Sequence, residues 1–391
     1  MSNSTIKIRM SPVAAILLAF ASIAAVLSSD SASAAPAGAS PTPFLARFNT
    51  VTKGVSTVPG NGDVNPYGTV VVPNSLGNLV AGDTLVSNFN DSSNLQGTGS
   101  TIVQIAPGGG RVLFAKISPP ALPAACPGGV GLTTALTVLP GGWVVVGSLP
   151  TSNGHPQTAM AGCLFVLNDT GHVVETLSGS DINGPWDLAS TASATSAQLF
   201  VTNVLNGTVA AEGPHPTKQP GKVVDEGTIV RIDLTLEPGG LPQLTSETVV
   251  ADGFAERTDP AALVVGPTGV ALADDGTLYV ADTVNNRIAE VPDATTRNST
   301  FHNGGKTLTA NGAINGPLGM TLAPNGDVLT VNGGNGDIVE TTPVGKQIDS
   351  TLLDASGSPP GSGALFGLAL APGNHGVEFV DDATNNLDLL H

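Results

Sequence analysis

Apolar and polar positions alternate in short runs through residues 265–291, and turn residues separate the runs. The runs G-V-A-L-A, T-L-Y-V-A-D and N-N-R-I-A-E-V each have the period of two that is typical of a β-strand. Asp275 and Gly276 lie between the first two runs. Asp-Gly between apolar runs indicates a hairpin, because both turn residues tolerate a positive φ. The pattern therefore predicts three antiparallel strands joined by tight turns.

This stretch resembles the NHL repeat, which forms one blade of a β-propeller. Similar copies begin near residues 315 and 364, and looser copies begin near residues 65, 131 and 183. A fourth apolar run follows each copy except the last, which stops at His391. Spacings of about 50 to 80 residues lie within or above the range of propeller blades. We expect an all-β, six-bladed propeller of four-stranded antiparallel blades.

A spare apolar run at residues 46–53 precedes the first copy. We expect this run to be the outer strand of blade six, so that an N-terminal strand closes the ring. Closure of this kind removes exposed sheet edges, which otherwise invite aggregation.

The N-terminus has the pattern of a secretory signal peptide. Lys7 and Arg9 precede an apolar run at 13–27, and Ala32-Ser33-Ala34 follows it. The run of about 15 residues is shorter than the roughly 20 that a membrane span needs. An uncleaved anchor is the alternative. The expected divisions are a signal peptide (1–34), a disordered leader (35–43) and the propeller (44–391) of a secreted or periplasmic protein.

The chain is acidic, with a net charge of −17 and only 12% charged residues. Cleavage after Ala34 would remove Lys7, Arg9 and Asp30, which changes the net charge to −18. A hydrophobic content of 41% argues against disorder. An acidic surface without basic clusters repels phosphate backbones, so we expect no nucleic-acid partner. We expect a monomer without a membrane span once the signal peptide is removed.

The two cysteines, Cys126 and Cys163, are expected to form a disulfide. In the blade register, Cys126 precedes the first strand of blade two and Cys163 begins its third strand. Adjacent strands run antiparallel, so both positions lie on the same face of the disc. Export permits a disulfide. Two free thiols are the alternative.

Three connections between second and third strands are long, in blades one to three. They are residues 89–100, 148–162 with His155, and 204–227 with His215. The equivalent connections in blades four to six are short. Insertions on one face of a rigid scaffold favour a binding surface. Neutral expansion of surface loops is the alternative.

Asn and Asp recur at the ends of the second strands. The positions are Asn88, Asn203, Asp282, Asn332 and Asp381, with Gly147 aligned to them in blade two. A ring of such oxygens predicts a possible calcium site, since calcium takes 6–8 oxygen ligands. The alternative is local turn hydrogen bonding, which Asn and Asp side chains commonly provide.

The start of the first strand carries Gly in four blades, but Thr133 in blade two and Asp187 in blade three. Asp187 follows Trp186, whose equivalents are Tyr67 and Phe366. Aromatic side chains beside one acid at the channel mouth predict a small-molecule site formed by Tyr67, Trp186, Asp187 and Phe366. The alternative is that these side chains pack between blades.

Two classes of function are weighed against each other, and a purely structural role in the cell envelope is a third alternative. The first is an exported NHL-type scaffold that binds a protein, peptide or glycan through the loop-rich face of blades one to three. The second is a divalent-metal-dependent lyase or lactonase at the channel mouth, because virginiamycin B lyases and gluconolactonases resemble this chain in architecture. The lyases use channel-facing histidines, and the histidines here fall outside the first strands. No catalytic residue and no certain cofactor is predicted from the sequence.

Overall fold

The computed structural model describes residues 42–119, 126–207 and 221–391. The signal peptide, nearly all of the leader and His215 fall outside the described residues, so the predictions for them stay predictions. The described residues form six antiparallel sheets. The first strands of consecutive sheets pack side by side in a closed ring, which confirms the six-bladed propeller. Among these residues, no helix has the length and apolar content to cross a bilayer.

The strands follow the chain blade by blade. The strand that precedes blade one is β1 (Val51–Ser56). Blade one contains β2 (Val64–Val71), β3 (Thr84–Asn90), β4 (Thr101–Ile105) and β5 (Arg111–Lys116). Blade two contains β6 (Leu132–Leu139), β7 (Trp143–Ser148), β8 (Cys163–Leu167) and β9 (Val173–Leu177). Blade three contains β10 (Pro185–Ala192), β11 (Ser196–Asn203), β12 (Val224–Thr235), β13 (Gln243–Asp259) and β14 (Leu263–Val265).

The second half of the disc is more regular. Blade four contains β15 (Pro267–Leu272), β16 (Leu278–Asp282), β17 (Arg287–Val291) and β18 (Lys306–Ala310). Blade five contains β19 (Pro317–Leu322), β20 (Val328–Asn332), β21 (Asp337–Thr341) and β22 (Gln347–Leu352). Blade six contains β23 (Leu365–Leu370), β24 (Val377–Asp381), β25 (Asn386–Leu390) and the earlier strand β1. Short 3-10 helices cover Leu45–Arg47, Pro156–Thr158 and Pro372–Asn374.

The N-terminal segment closes the ring, as predicted. Strand β1 pairs antiparallel with β25 and completes the sheet of blade six. The predicted bounds, 46–53, are wrong, because the strand begins at Val51 after the 3-10 helix at Leu45–Arg47. The buried Glu340 carboxylate of blade five explains the shift. It accepts hydrogen bonds from the backbone amides of Phe44 at 2.7 Å and Leu45 at 2.8 Å, which fixes the segment before the strand starts.

Blade three departs from the expected four strands. Strand β13 continues beyond its pairing with β12, turns at residues 260–262 and returns as β14. The resulting hairpin was not predicted. Its second strand has the sequence L-V-V and directly precedes the repeat, so it resembles the segment that connects one blade to the next. It extends the blade on the loop-rich face.

The turn between β15 and β16 is wider than the predicted two-residue turn. Leu272 pairs with Leu278, and the Ala273 amide donates to the Thr277 carbonyl oxygen. Only Gly276 has a positive φ, of 85°. Blade five repeats this turn, in which the glycine alone requires the left-handed conformation.

Glycines at the first strands allow neighbouring blades to approach. A Cβ atom added to Gly319 would overlap the carbonyl oxygen of Phe366, and one on Gly269 would overlap that of Leu318. The inner ring is therefore narrow where the first strands begin. The narrow ring limits the size of a molecule that can enter the channel from this end.

The predicted disulfide is confirmed. Cys126 and Cys163 are bonded, with their Cα atoms 5.5 Å apart. The bond ties the segment before blade two to the start of its third strand. It closes a loop of 37 residues, which lowers the conformational entropy of the unfolded chain.

Candidate functional site

An aromatic plug fills the channel where the first strands begin. The plug consists of Tyr67 from blade one, Trp186 from blade three and Phe366 from blade six, each at most 2% exposed. The rings of Tyr67 and Phe366 stack with centroids 4.0 Å apart. Trp186 lies 6.0 Å from Tyr67 and 6.3 Å from Phe366. Blades three and six are opposite each other, so contact between their rings requires that the channel axis is filled here.

An apolar cap covers the plug on the loop-rich face. Its members are all buried and come from the loops of blades two and three and from the β13–β14 hairpin: Leu149, Ala159, Val204, Leu205, Leu263 and Val264. The tip of the hairpin reaches blade one, where the Gln96 side-chain amide donates to the Pro260 carbonyl oxygen at 2.9 Å. The channel is therefore closed on this face.

A cavity of about 380 Å³ lies in the channel beneath the plug. All six first strands line it, through the residues that follow the plug positions. Burial decreases along these strands, and Thr69, Leu322 and Leu370 are only half-buried. The cavity therefore communicates with solvent on the face opposite the long loops.

Asp187 is the one acidic side chain that lines this cavity, and it is 7% exposed. Its Oδ1 accepts a hydrogen bond from the Leu188 amide at 2.8 Å, and its Oδ2 accepts one from the Val270 amide of blade four at 3.3 Å. Burial raises the pKa of the Asp187 carboxyl to about 7, and the two backbone hydrogen bonds oppose this increase.

The four residues of the predicted channel-mouth site lie in two places, and ligand binding by them stays a prediction. Tyr67, Trp186 and Phe366 do not line an open mouth, because they pack against each other beneath the apolar cap. Asp187 lies on the far side of the plug, in a different compartment. The structure thus separates the acid from the loop-rich face. A ligand for Asp187 stays a prediction, for a site that opens on the other face.

The long loops of blades one and two interlock on the cap. The Thr151 hydroxyl donates to the Gln96 carbonyl oxygen at 2.5 Å, and the Thr151 amide donates to that of Gly97 at 2.8 Å. Leu95 and Met160 remain 37% and 53% exposed in these loops. The loop of blade three is described only in part. Its predicted end at 227 is wrong, because β12 begins at Val224.

The model of the NHL repeat matches residues 265–290, which the structure folds into the first three strands of blade four. The other five blades repeat this strand order around the ring. The protein is an NHL-repeat β-propeller.

Solved structures share the fold of this NHL propeller at low sequence identity. A gluconolactonase from Xanthomonas campestris is 11% identical with a TM-score of 0.50, and the match covers 88% of this chain and 97% of that one. A virginiamycin B lyase from Staphylococcus aureus is 12% identical with a TM-score of 0.46, covering 87% and 98%. Regucalcin, a calcium-binding protein from Agrobacterium tumefaciens, is 13% identical with a TM-score of 0.47, covering 88% and 93%. These matches show the fold alone, and a comparison with curated proteins gave no match.

The Asn and Asp side chains that end the second strands bind their own blades. Asn332 Oδ1 accepts from the Asn315 amide, and its amide group donates to the Ala313 carbonyl oxygen. Asp282 pairs with Arg287 at 2.7 Å. The remaining members bind locally as well: Asn88 to Thr57 and Thr101, Asn203 to Gly184, and Asp381 to Thr384.

These donors do not fit a shared calcium ion. Among them, only Asn88 Oδ1 and Asp282 Oδ1 lack a hydrogen-bond partner, and blades one and four lie on opposite sides of the ring. Within the described ranges, no three His, Cys, Asp or Glu side chains are close enough to hold a metal. The ring fits a structural role. Asn88, Asn203 and Asn332 join the second strand to the chain that enters the blade. Asp282 and Asp381 bind residues that follow the second strand. Calcium binding stays a prediction.

The alignment of blade two is corrected by the strand ladder. Ser148, not Gly147, lies opposite Leu132, at the position of the Asn and Asp residues in sister blades. Leu136 is the next paired residue, so the first strand of blade two contains an additional residue in its bulge. Thr133 consequently occupies the position of the plug aromatics and not that of the glycines. An inserted residue in a strand has no local sequence signal, so sequence comparison alone missed it.

Proposed function

We propose that this NHL propeller is an exported scaffold that binds a protein or peptide through its loop-rich face. The observation that carries the proposal is the interlocked loop surface of blades one and two, which exposes Leu95 and Met160 above a closed channel. Loops that are fixed to a rigid scaffold and to each other lose little conformational entropy when a partner binds.

The charge of this surface supports the same proposal. Residues 91–100 carry one acid, Asp91, and residues 149–162 carry neither an acid nor a Lys or Arg. The whole chain has a net charge of −17. A neutral patch rich in Asn, Ser, Thr and Gly, with exposed apolar side chains, suits a peptide better than a charged ligand. The aromatic rings of this face, which could stack on a sugar, are buried in the plug.

Export is supported by the disulfide, since such bonds persist in oxidising compartments outside the cytosol. N-terminal sequencing of the protein recovered from its natural host tests this part of the proposal. A chain that begins at Ala35 is the expected result. A chain that retains residues 1–34 would contradict it.

The binding experiment uses the mature chain immobilised as wild type, Leu95→Glu, Met160→Glu and Val344→Glu. Val344 is the matched control, because it is 88% exposed in the turn between β21 and β22, on the opposite face. Each bait is incubated with the exported proteins of the host, and bound proteins are identified by mass spectrometry. We expect one partner that wild type and Val344→Glu retain and that both loop-face variants lose.

A partner set that is identical for all four baits would contradict the proposal. A glycan array with the same four proteins provides the second arm. A glycan that binds wild type and fails to bind Met160→Glu would assign this face to a sugar and overturn the protein or peptide assignment. The lyase or lactonase alternative is not favoured by any described residue cluster.

A further inference from the structure

The channel cavity beneath the plug has a mixed lining, in which apolar side chains are accompanied by slightly more polar than apolar surface. Leu136, Leu188, Val270, Met320 and Leu368 contribute the apolar surface, each from a different first strand. Asp187 follows Trp186 in the sequence and lies at the inner end of the cavity, next to the plug. A volume of about 380 Å³ falls within the range of small-molecule pockets.

Two threonine hydroxyls in the lining have no partner. Thr134 is 4% exposed, and its hydroxyl, like that of Thr69, makes no hydrogen bond to the described protein. A buried hydroxyl without a partner is destabilising. Both oxygen atoms are inaccessible to a sphere the size of water, so a ligand in the cavity does not reach them. Asp187 is therefore the polar group of the lining from which the ligand is inferred.

The charge of the lining restricts the ligand. Among the described residues, Asp187 makes no ion pair, and none of those that line the cavity is Lys, Arg or His. The two backbone amides that bind the carboxylate leave lone pairs on both oxygens available. A cationic group would complete this site, whereas an anion would be repelled. A single carboxylate supplies too few charged ligands for a tightly bound divalent metal.

We propose that the channel cavity binds a small organic ammonium ion, whose charged group pairs with Asp187 and whose hydrocarbon part packs on the leucine, valine and methionine wall. The ligand enters from the face opposite the long loops. This site is separate from the proposed scaffold surface, because the plug lies between the two. An ammonium ion also stabilises the ionised carboxylate, so binding should strengthen as the pH increases through about 7.

The test measures binding of three amines to the mature chain by isothermal titration calorimetry: butylamine, cyclohexylmethylamine and 2-phenylethylamine. The neutral analogue 2-phenylethanol is the chemical control. The variant is Asp187→Asn. The matched control is Asp274→Asn, an exposed acid in the turn between β15 and β16, which changes the net charge equally at the same end of the disc.

We expect at least one amine to bind wild type and Asp274→Asn alike, and to bind Asp187→Asn about tenfold or more weakly. Binding of 2-phenylethanol should be equal in all three proteins. The affinity of wild type for the amine should increase between pH 6 and pH 8, and that of Asp187→Asn should not.

Thr134→Val provides a second variant, which removes an unpartnered hydroxyl at constant size and should leave the fold intact. Its amine affinity should equal that of wild type, because this hydroxyl does not reach the cavity, and its melting temperature should stay equal or increase. The proposal is overturned if none of the three amines binds wild type. It is equally overturned if Asp187→Asn, with a native circular dichroism spectrum, retains wild-type affinity.

Discussion

Glu340 holds the N-terminal segment against blade five, so its replacement should loosen the closure of the ring. In Glu340→Gln, one side-chain oxygen remains to accept from the amide of Phe44 or of Leu45, and the other amide faces an NH₂ group. One charge-assisted hydrogen bond is lost and one buried donor is left without a partner. The expected loss in the free energy of unfolding is about 2–4 kcal/mol, a large part of the total stability of a folded protein.

Asp327 makes this loss depend on pH. Burial and the neighbouring Glu340 carboxylate raise the pKa of Asp327 to about 6. Above that pH, Asp327 is ionised and repels the Glu340 carboxylate, so the glutamine removes a repulsion and this offsets part of the loss. Below it, protonated Asp327 is a further donor to Glu340. The destabilisation should therefore be larger at pH 5 than at pH 8.

The assay is equilibrium unfolding in urea with the disulfide intact, at pH 5 and pH 8. Glu290→Gln is the matched control, because Glu290 occupies the same place in the third strand of blade four. There it pairs at 2.5 Å with Lys306, whose side chain is largely exposed. An exposed pair of this kind contributes about 0–1 kcal/mol. Trypsin cleavage after the exposed Arg47 should accelerate in Glu340→Gln only. Equal urea midpoints for the two variants would refute the role assigned to Glu340.

Three further predictions concern the disulfide, the inner ring and Asp187. Cys126→Ser should lower the free energy of unfolding by about 4 kcal/mol, from the entropy of a 37-residue loop; a urea midpoint equal to that of wild type would contradict this. Gly319→Ala should lower the melting temperature, because its Cβ would overlap the Phe366 carbonyl oxygen, whereas Gly108→Ala meets no atom within 4 Å; equal melting by calorimetry would contradict the close approach of the blades. The folded-state pKa of Asp187, about 7, is above its ordinary 3.8, so its contribution to stability is complete below pH 3.8 and is lost as the pH rises through 7. The difference in stability between wild type and Asp187→Asn should accordingly change by about 1.4 kcal/mol per pH unit in that window, to the disadvantage of wild type; parallel pH profiles would contradict the buried position of the carboxyl.

The blade number and the disulfide could be predicted because their signals are local. Alternation of apolar residues repeats in each blade, and the turn glycines, such as Gly276, mark its hairpins. Once the register is assigned, Cys126 and Cys163 both lie in blade two at the same face of the disc. Ring closure could be predicted by counting the strands. The bounds of the closing strand could not, because Glu340 binds the segment that precedes it. That anchor joins residues almost 300 positions apart and leaves no pattern in the sequence.

Only the residues of the candidate site could be predicted from the sequence, and their arrangement in space could not. The sequence indicated that Trp186 and Asp187 depart from the repeat, and both lie in the channel. It did not indicate that the aromatic ring and the acid face different compartments, because this depends on three blades that meet at the axis and on the β13–β14 hairpin. The unpartnered hydroxyl of Thr134 was likewise missed, since threonine is an ordinary strand residue.

Trp186 has a consequence for how the disc responds to mechanical or chemical stress. Its indole spans the hub and touches the ring of Phe366 in the blade that the N-terminal segment completes. Loss of the pairing between β1 and β25 in blade six should therefore change the environment of this indole, which belongs to the opposite blade. The only other tryptophan is Trp143, in β7. A Trp143→Phe protein would thus contain a single tryptophan, and its emission would report, from the centre of the disc, whether β1 remains paired with β25.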